Sequence, residues 1–250
     1  IVADNWESVE RKGRSPDLDI DDALRDMLTG FGATEYDVAT VLRATDYPDE
    51  PGHWSDDDRE DLARRIREQT KPIVVVANKV DAAPAGAVDH LKDGTDKPVI
   101  PATADGELGL RRAAEAGVVD YDPGDEAFDV VGDVSEGQRE GLEAIRSAMT
   151  EHGGTGVQTA LNAAVYDLLD RITIYPVQDA SKWTDGTGNV LPDAFLLRSE
   201  ATPPDLAYAV HTDIGEGYLH AVDARSSRRI GEGHALSEGD VVKIVSTAGP

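Results

Sequence analysis

The chain has 250 residues, enough for two compact domains, and its 49 Asp and Glu against 24 Lys and Arg give a formal net charge of −25. The absence of cysteine excludes disulfide frameworks, zinc–thiolate sites, iron–sulfur clusters and cysteine nucleophiles. Its longest strictly aliphatic stretch, Ile73 to Ala77, falls far short of the roughly 20 residues that cross a bilayer, and nothing in the sequence resembles a signal peptide. No membrane role and a cytoplasmic location are therefore expected.

From Ser15 to Gln69 the apolar residues recur at helical spacing. Ser15-Pro16-Asp17 reads as a helix start, with a capping hydroxyl, a proline in the first turn and a carboxylate at the positive dipole end. Leu24, Met27 and Leu28 form its stripe, which Gly30 and Gly32 break. A second helix is expected from Thr34 to Ala44 and a third from Ser55, with three aspartates in its first turn. Residues 1–70 read as one helical subdomain.

The period changes after Lys71-Pro72. Ile73 to Ala77 is a β-branched run of the kind buried on both faces of a parallel sheet. A helix around Ala85 to Leu91, a strand at Val99 to Pro101, a helix at Leu108 to Ala116 and two longer ones at Ser135 to Glu151 and Thr155 to Asp170 follow. Strand and helix alternate, so residues 71–170 read as α/β. In residues 171–250, strands at Ile172 to Val177, Ala194 to Leu197, Tyr218 to Val222 and Val241 to Val245 surround one helix opened by Thr202-Pro203-Pro204-Asp205. That is an α+β module of β-grasp, ubiquitin-like type.

Asn78-Lys79-Val80-Asp81 follows the buried strand directly. A carboxylate at Asp81 can accept from both the N1–H and the 2-amino group of guanine, a donor pair that adenine does not offer. The Asn78 amide can reach the purine edge and brace the loop, and the stem of Lys79 can lie over the base. About 20 residues later a second strand runs into Thr103-Ala104, which is similar to the Ser/Thr-Ala pair that points a backbone N–H at the guanine carbonyl oxygen in guanine-nucleotide proteins. The competing reading is a capped strand-to-helix turn begun by Asp81. No G-x-x-x-x-G-K-S/T occurs in the sequence, and Asp129-Val130-Val131-Gly132 reads as a turn rather than a magnesium-sensing switch.

Taken together, these residues resemble the Obg-related GTPases of the YchF-like group, in the archaeal and eukaryotic branch that ends in a TGS domain. The resemblance runs from Trp6-Glu7-Ser8-Val9 through Asn78 to Asp81 and the helix Leu108 to Gly117. It ends in Ile174-Tyr175-Pro176-Val177, Leu191 to Ala194, Asp205 to His211 and Gly239 to Ile244. It implies a helical insertion at 1–70, the C-terminal part of a P-loop GTPase domain at 71–170 and a TGS domain at 171–250. GTP or GDP is the expected ligand, bound through Asn78, Lys79 and Asp81, with Thr103 and Ala104 closing the pocket. Mg²⁺, the phosphate loop and the switch motifs are expected in a longer parent, so this chain is not expected to hydrolyse GTP alone and no catalytic residue is assigned. TGS modules of this kind imply contact with ribosome or RNA, for which Arg225, Arg228 and Arg229 are the candidates; DNA is not expected. A catalytically inert RNA- or protein-binding module is the alternative.

The charge is diffuse: 9 basic residues meet 19 acidic ones in 1–70, 8 meet 19 in 71–170, and 7 meet 11 in 171–250. With only seven lysines, this distribution suggests adaptation to high salt and hence a halophilic source. His211, His220 and His234 match no metal-ligand spacing and are expected to pack or face solvent, and no metal site is assigned.

Overall fold

A computed structural model describes residues 2–13, 20–28, 32–48 and 50–248. The chain divides into two compact units, residues 1–73 and 74–250. The expected helix start at Ser15-Pro16-Asp17 and the break at Gly30 lie outside the described residues.

The first unit is helical: α1 (Val2–Gly13), α2 (Ile20–Leu28), α3 (Glu35–Arg43) and α4 (Asp56–Thr70). Helix α1 is an addition to the sequence reading, and it buries Trp6 and Val9, three residues apart on one face. Reciprocal capping boxes open the next helices, Thr34 with Asp37 before α3 and Ser55 with Asp58 before α4. Leu24, Leu28, Val38, Val41, Leu62 and Ile66 fill the core with Trp6 and Trp54. The Trp54 ring lies 4.9 Å from that of Trp6 and 4.4 Å from that of Tyr47. Tyr47 donates to Asp61 at 2.6 Å; burial first, and then this bond, push the phenol up to about 12. The Tyr47 hydroxyl and the Arg65 guanidinium bring Asp61 down to about 2.

The second unit opens with two parallel strands, β1 (Val75–Asn78) and β2 (Val99–Ala102), in register from Val75 opposite Val99 to Asn78 opposite Ala102. Helix α5 (Ala87–Asp93) makes the crossover between them. Burial of β1 on both faces does not hold: Val76 is 45% exposed, because among the described residues β1 pairs only with β2. Helix α6 (Ala104–Glu115) follows, then a two-stranded ribbon of β3 (Val119–Asp120) and β4 (Asp129–Val130). Asp129-Val130 is thus a strand and not the expected turn. Helix α7 (Glu136–His152) starts on a Ser135–Gln138 capping box, and α8 (Val157–Asn162) passes into a π-type turn at 163–168, where one continuous helix was expected. Leu110, Val119, Tyr121, Phe128, Leu142 and Met149 form the core here.

The remainder is a five-stranded sheet in the order β6-β5-β9-β7-β8, built from β5 (Arg171–Pro176), β6 (Phe195–Arg198), β7 (Tyr218–Asp223), β8 (Arg228–Ile230) and β9 (Val241–Ser246). Strands β5 and β9 are parallel at its centre and the other neighbours antiparallel. Helix α9 (Pro203–Val210), started by Thr202 and Asp205, packs Leu206 against Ile174, Ala221, Leu236 and Val242. The short helix α10 (Thr212–Glu216) follows. Helix α9 on a mixed sheet with central parallel strands is the expected β-grasp arrangement, to which β8 and α10 are additions.

Candidate functional site at the ends of the parallel strands

Asn78 and Ala102 close β1 and β2 side by side, so the loops that follow leave one edge of the sheet, where ligands bind in open α/β folds. The Asn78 side chain ties those loops together. Its Oδ1 accepts from Lys79 N–H at 2.8 Å and from Ala104 N–H, at the start of α6, at 3.1 Å. Lys79 takes the left-handed conformation, φ 68° and ψ 38°, which costs a non-glycine residue about 1 kcal/mol or more. That turn carries the chain into the 3₁₀ segment Val80–Ala82, closed by Ala82 N–H donating to Lys79 O. Asp81 sits in it, exposed, its carboxylate without a hydrogen-bond or ion-pair partner among the described residues.

Thr103 is 1% exposed and caps α6: its Oγ1 accepts from Gly106 N–H at 3.2 Å, and its own N–H donates to Thr155 O at 2.8 Å. Protein acceptors therefore take the N–H groups of both Thr103 and Ala104. The first α6 donor left without a partner among the described residues is the N–H of Asp105, at the positive end of the helix.

Behind the loops lies a buried polar network that sequence reading missed. Glu107 is 4% exposed. Its Oε1 accepts from Arg111 Nε at 2.6 Å, and its Oε2 from Tyr121 OH at 2.6 Å and Thr155 Oγ1 at 2.5 Å. Burial opposes the charge, but the three hydrogen bonds and the guanidinium outweigh it and hold the carboxyl below its usual range. Burial and the bond to Glu107 push the Tyr121 phenol up. Thr155 thus binds α6 and the Thr103 backbone at once. The next residue, Gly156, has φ +77°, and a Cβ there would meet Pro101 O of β2 at 1.8 Å, so only glycine allows this approach.

A cavity of about 410 Å³ beside the loop is lined by Val80, Gly86, Val88, Lys92 and His152, among others, but by none of Asn78, Asp81, Thr103 or Ala104. It flanks the loop rather than facing these residues.

The three arginines differ in their surroundings. Arg225 donates to Gly239 O at 2.9 Å and lies over the Trp183 ring, 5.2 Å from its centroid. Arg228 and Arg229 are exposed neighbours on the edge strand β8 and so project to opposite faces. His211 Nδ1 accepts from Asp213 N–H at 3.2 Å and starts α10, His220 is on β7, and His234 closes a turn with Gly231 O.

Residues 76–179 match the model of the G4 motif-containing domain of Obg-like, YGR210-like GTPases, and residues 187–246 match the TGS domain. The chain joins the G4-motif portion of an Obg-like GTPase to a TGS domain. It is 38% identical to an uncharacterized GTP-binding protein of Methanocaldococcus jannaschii, over 99% of this chain and 63% of the relative. A Schizosaccharomyces pombe relative, also called an uncharacterized GTP-binding protein, is 25% identical over 84% of this chain and 54% of its own length. The crystal structure of a GTP-binding protein from Pyrococcus horikoshii superposes with a TM-score of 0.79 at 36% identity, covering 98% of this chain and 66% of that one. The TGS-containing chain thus spans roughly two thirds or less of each relative's length.

Proposed function

We propose that this chain supplies the guanine-reading part of a GTP-binding protein. One observation carries the reading: the Asn78 amide oxygen bridges to Ala104 N–H, locking the two loops together at the carboxyl ends of β1 and β2, while the Asp81 carboxylate beside them is exposed and unspent. In this reading Asp81 accepts from guanine N1–H and the 2-amino group, and the Lys79 stem covers the base. The free Asn78 Nδ2 donates to the purine edge. Thr103 and Ala104 close the pocket, and Asp105 N–H is the donor for the guanine carbonyl oxygen. The names of the relatives and the G4 description of the matched domain support GTP or GDP as ligand. A Mg²⁺ ion bound with the phosphates belongs to the same proposal, with no ligand for it assigned in this chain.

Calorimetric titration of GDP and ADP at high potassium chloride tests this reading. GDP is expected to bind at least tenfold tighter than ADP. Asp81→Asn should reverse a preference for GDP over xanthosine diphosphate, because an amide can donate to the 2-oxo group that xanthine carries. Equal binding of GDP and ADP, or an Asp81→Asn chain with unchanged preference, would sink it.

For the TGS part, RNA or ribosome contact remains our proposal through Arg225, Arg228 and Arg229, supported by the two exposed guanidinium groups on β8. Binding that involves phosphate contacts should weaken steeply with salt, and Arg228→Ala with Arg229→Ala should flatten that dependence.

A further inference from the structure

The TGS portion contains a cleft of about 400 Å³ that guanine reading does not use. It opens where β5 and β9 part. Tyr175 N–H donates to Asp240 O and Val177 N–H to Val242 O, both at 2.9 Å, so the even-numbered peptide groups of β9 face β5. The odd-numbered ones face β7, as the bond from Ala224 N–H to Val241 O at 2.8 Å and that from Thr247 N–H to Gly217 O at 2.8 Å show. Beyond Val177 the chain turns away, and the N–H groups of Gln178 and Asp179 both donate to Thr184 O. The next even-numbered groups of β9, the N–H and C=O of Ile244, therefore look into the cleft with no backbone partner among the described residues. A strand edge of this kind is a template for another strand.

Apolar side chains line the slot beside that edge: Phe195 of β6, Val210 of α9 and Ile214 of α10, flanked by Pro176 and Pro192. Two carboxylates and one cation, Lys243 of β9, also line it. The Asp185 oxygens are taken up within their own loop by Thr187 and Asn189, whereas Asp193 is exposed and has no partner among the described residues. The chain's net charge of −25 adds to that local field. We propose that this cleft binds an extended apolar and basic peptide segment of a partner protein, which adds as a strand to the free edge of β9 at Ile244. Main-chain bonds to Ile244 give register, alternate apolar side chains enter the slot, and a cationic residue meets Asp193. Residues 243–246 extend over about 13 Å at roughly 3.3 Å per residue, which suits a segment of about four to six residues.

The test is an NMR titration of the full chain with a blocked six-residue peptide alternating lysine and valine, at fixed ionic strength. Saturable amide shifts are expected at Val177, Phe195, Ile244 and Ser246. The same peptide methylated on alternate backbone nitrogens should not bind, because it cannot complete the ladder. Asp193→Lys, at an exposed site, should weaken binding about tenfold while leaving the rest of the spectrum in place. Equal binding of the methylated peptide, equal binding of an alternating glutamate and valine peptide, or shifts centred elsewhere would overturn the proposal. So would concentration-dependent shifts at Ile244 without peptide, since a second copy of the chain would then be the occupant.

Discussion

The two sheets of the second unit keep their shape by opposite means. In the TGS domain a five-stranded sheet wraps Leu206 and Ile174, both fully buried, and apolar packing holds the helix on it. The sheet behind the Asn78 and Thr103 loops has only two described strands and leaves Val76 exposed. Its loops are set instead by directional bonds: Asn78 to Ala104, Thr103 to Thr155, and Thr155 with Tyr121 to Glu107. Burial is non-directional and tolerates small shifts, whereas hydrogen bonds fix where a loop's free donors and acceptors point. The base-reading edge proposed above needs the second kind of support.

Cutting into the TGS core should give the largest effect. Leu206→Ala removes a fully buried side chain and is expected to cost about 2 to 5 kcal/mol. Residue-resolved hydrogen exchange should show amides of β5, β7 and β9 losing protection while those of β1 and β2 keep theirs; equal loss in both sheets would break the contrast. Gly156→Ala strikes the other side, since its Cβ would collide with the Pro101 carbonyl and its φ of +77° disfavours a side chain. A cost of about 3 kcal/mol is expected, read as lost protection at β2 and the start of α6 with the TGS amides unmoved.

Glu107→Gln sharpens the comparison through charge. The variant keeps the shape but weakens charge-assisted bonds to a nearly buried group, at an expected cost of about 1 to 3 kcal/mol. The folded carboxyl titrates below its unfolded value, so its contribution is complete above the ordinary carboxylate range and disappears as pH falls through the depressed value. Denaturation followed from pH 7 down to pH 3 should therefore show a shallower acid loss in Glu107→Gln than in the parent chain. Identical slopes would mean that the carboxylate is not what ties α6 to Thr155.

How much of this could be read from sequence follows the same division. The capped helix starts at Thr34, Ser55, Ser135 and Thr202 and four strands of the TGS sheet, β5, β6, β7 and β9, are local patterns, and the structure has them within about a residue of the pattern, whereas the three-residue β8 escaped it. Asn78 to Asp81 was legible because the motif abuts a β-branched run. Glu107 was not, since its partner Thr155 is 48 residues away and no spacing rule links them. The ribbon of β3 and β4 has two residues per strand, too few for periodicity to register. Helix α1 carries a short stripe in its sequence, Val2, Trp6 and Val9, that sequence reading passed over. The exposure of Val76 depends on how many strands flank β1, and composition carries no information about that.

The smallest effect on stability should come from the residue with the largest proposed role. Asn78 is exposed, and Asn78→Ala removes two hydrogen bonds from its Oδ1, worth about 0.5 to 1.5 kcal/mol each at most, with water free to replace them. Global stability should barely move. Guanine reading should suffer far more, because the Lys79 turn and the start of α6 lose their common anchor and the Asp81 carboxylate is no longer held in one place relative to the Asp105 N–H. GDP affinity is expected to fall at least tenfold in Asn78→Ala, with hydrogen exchange changed only at Lys79 and Ala104. A variant that loses stability and keeps GDP affinity would reverse the assignment, making Asn78 a structural brace and leaving base reading to other groups.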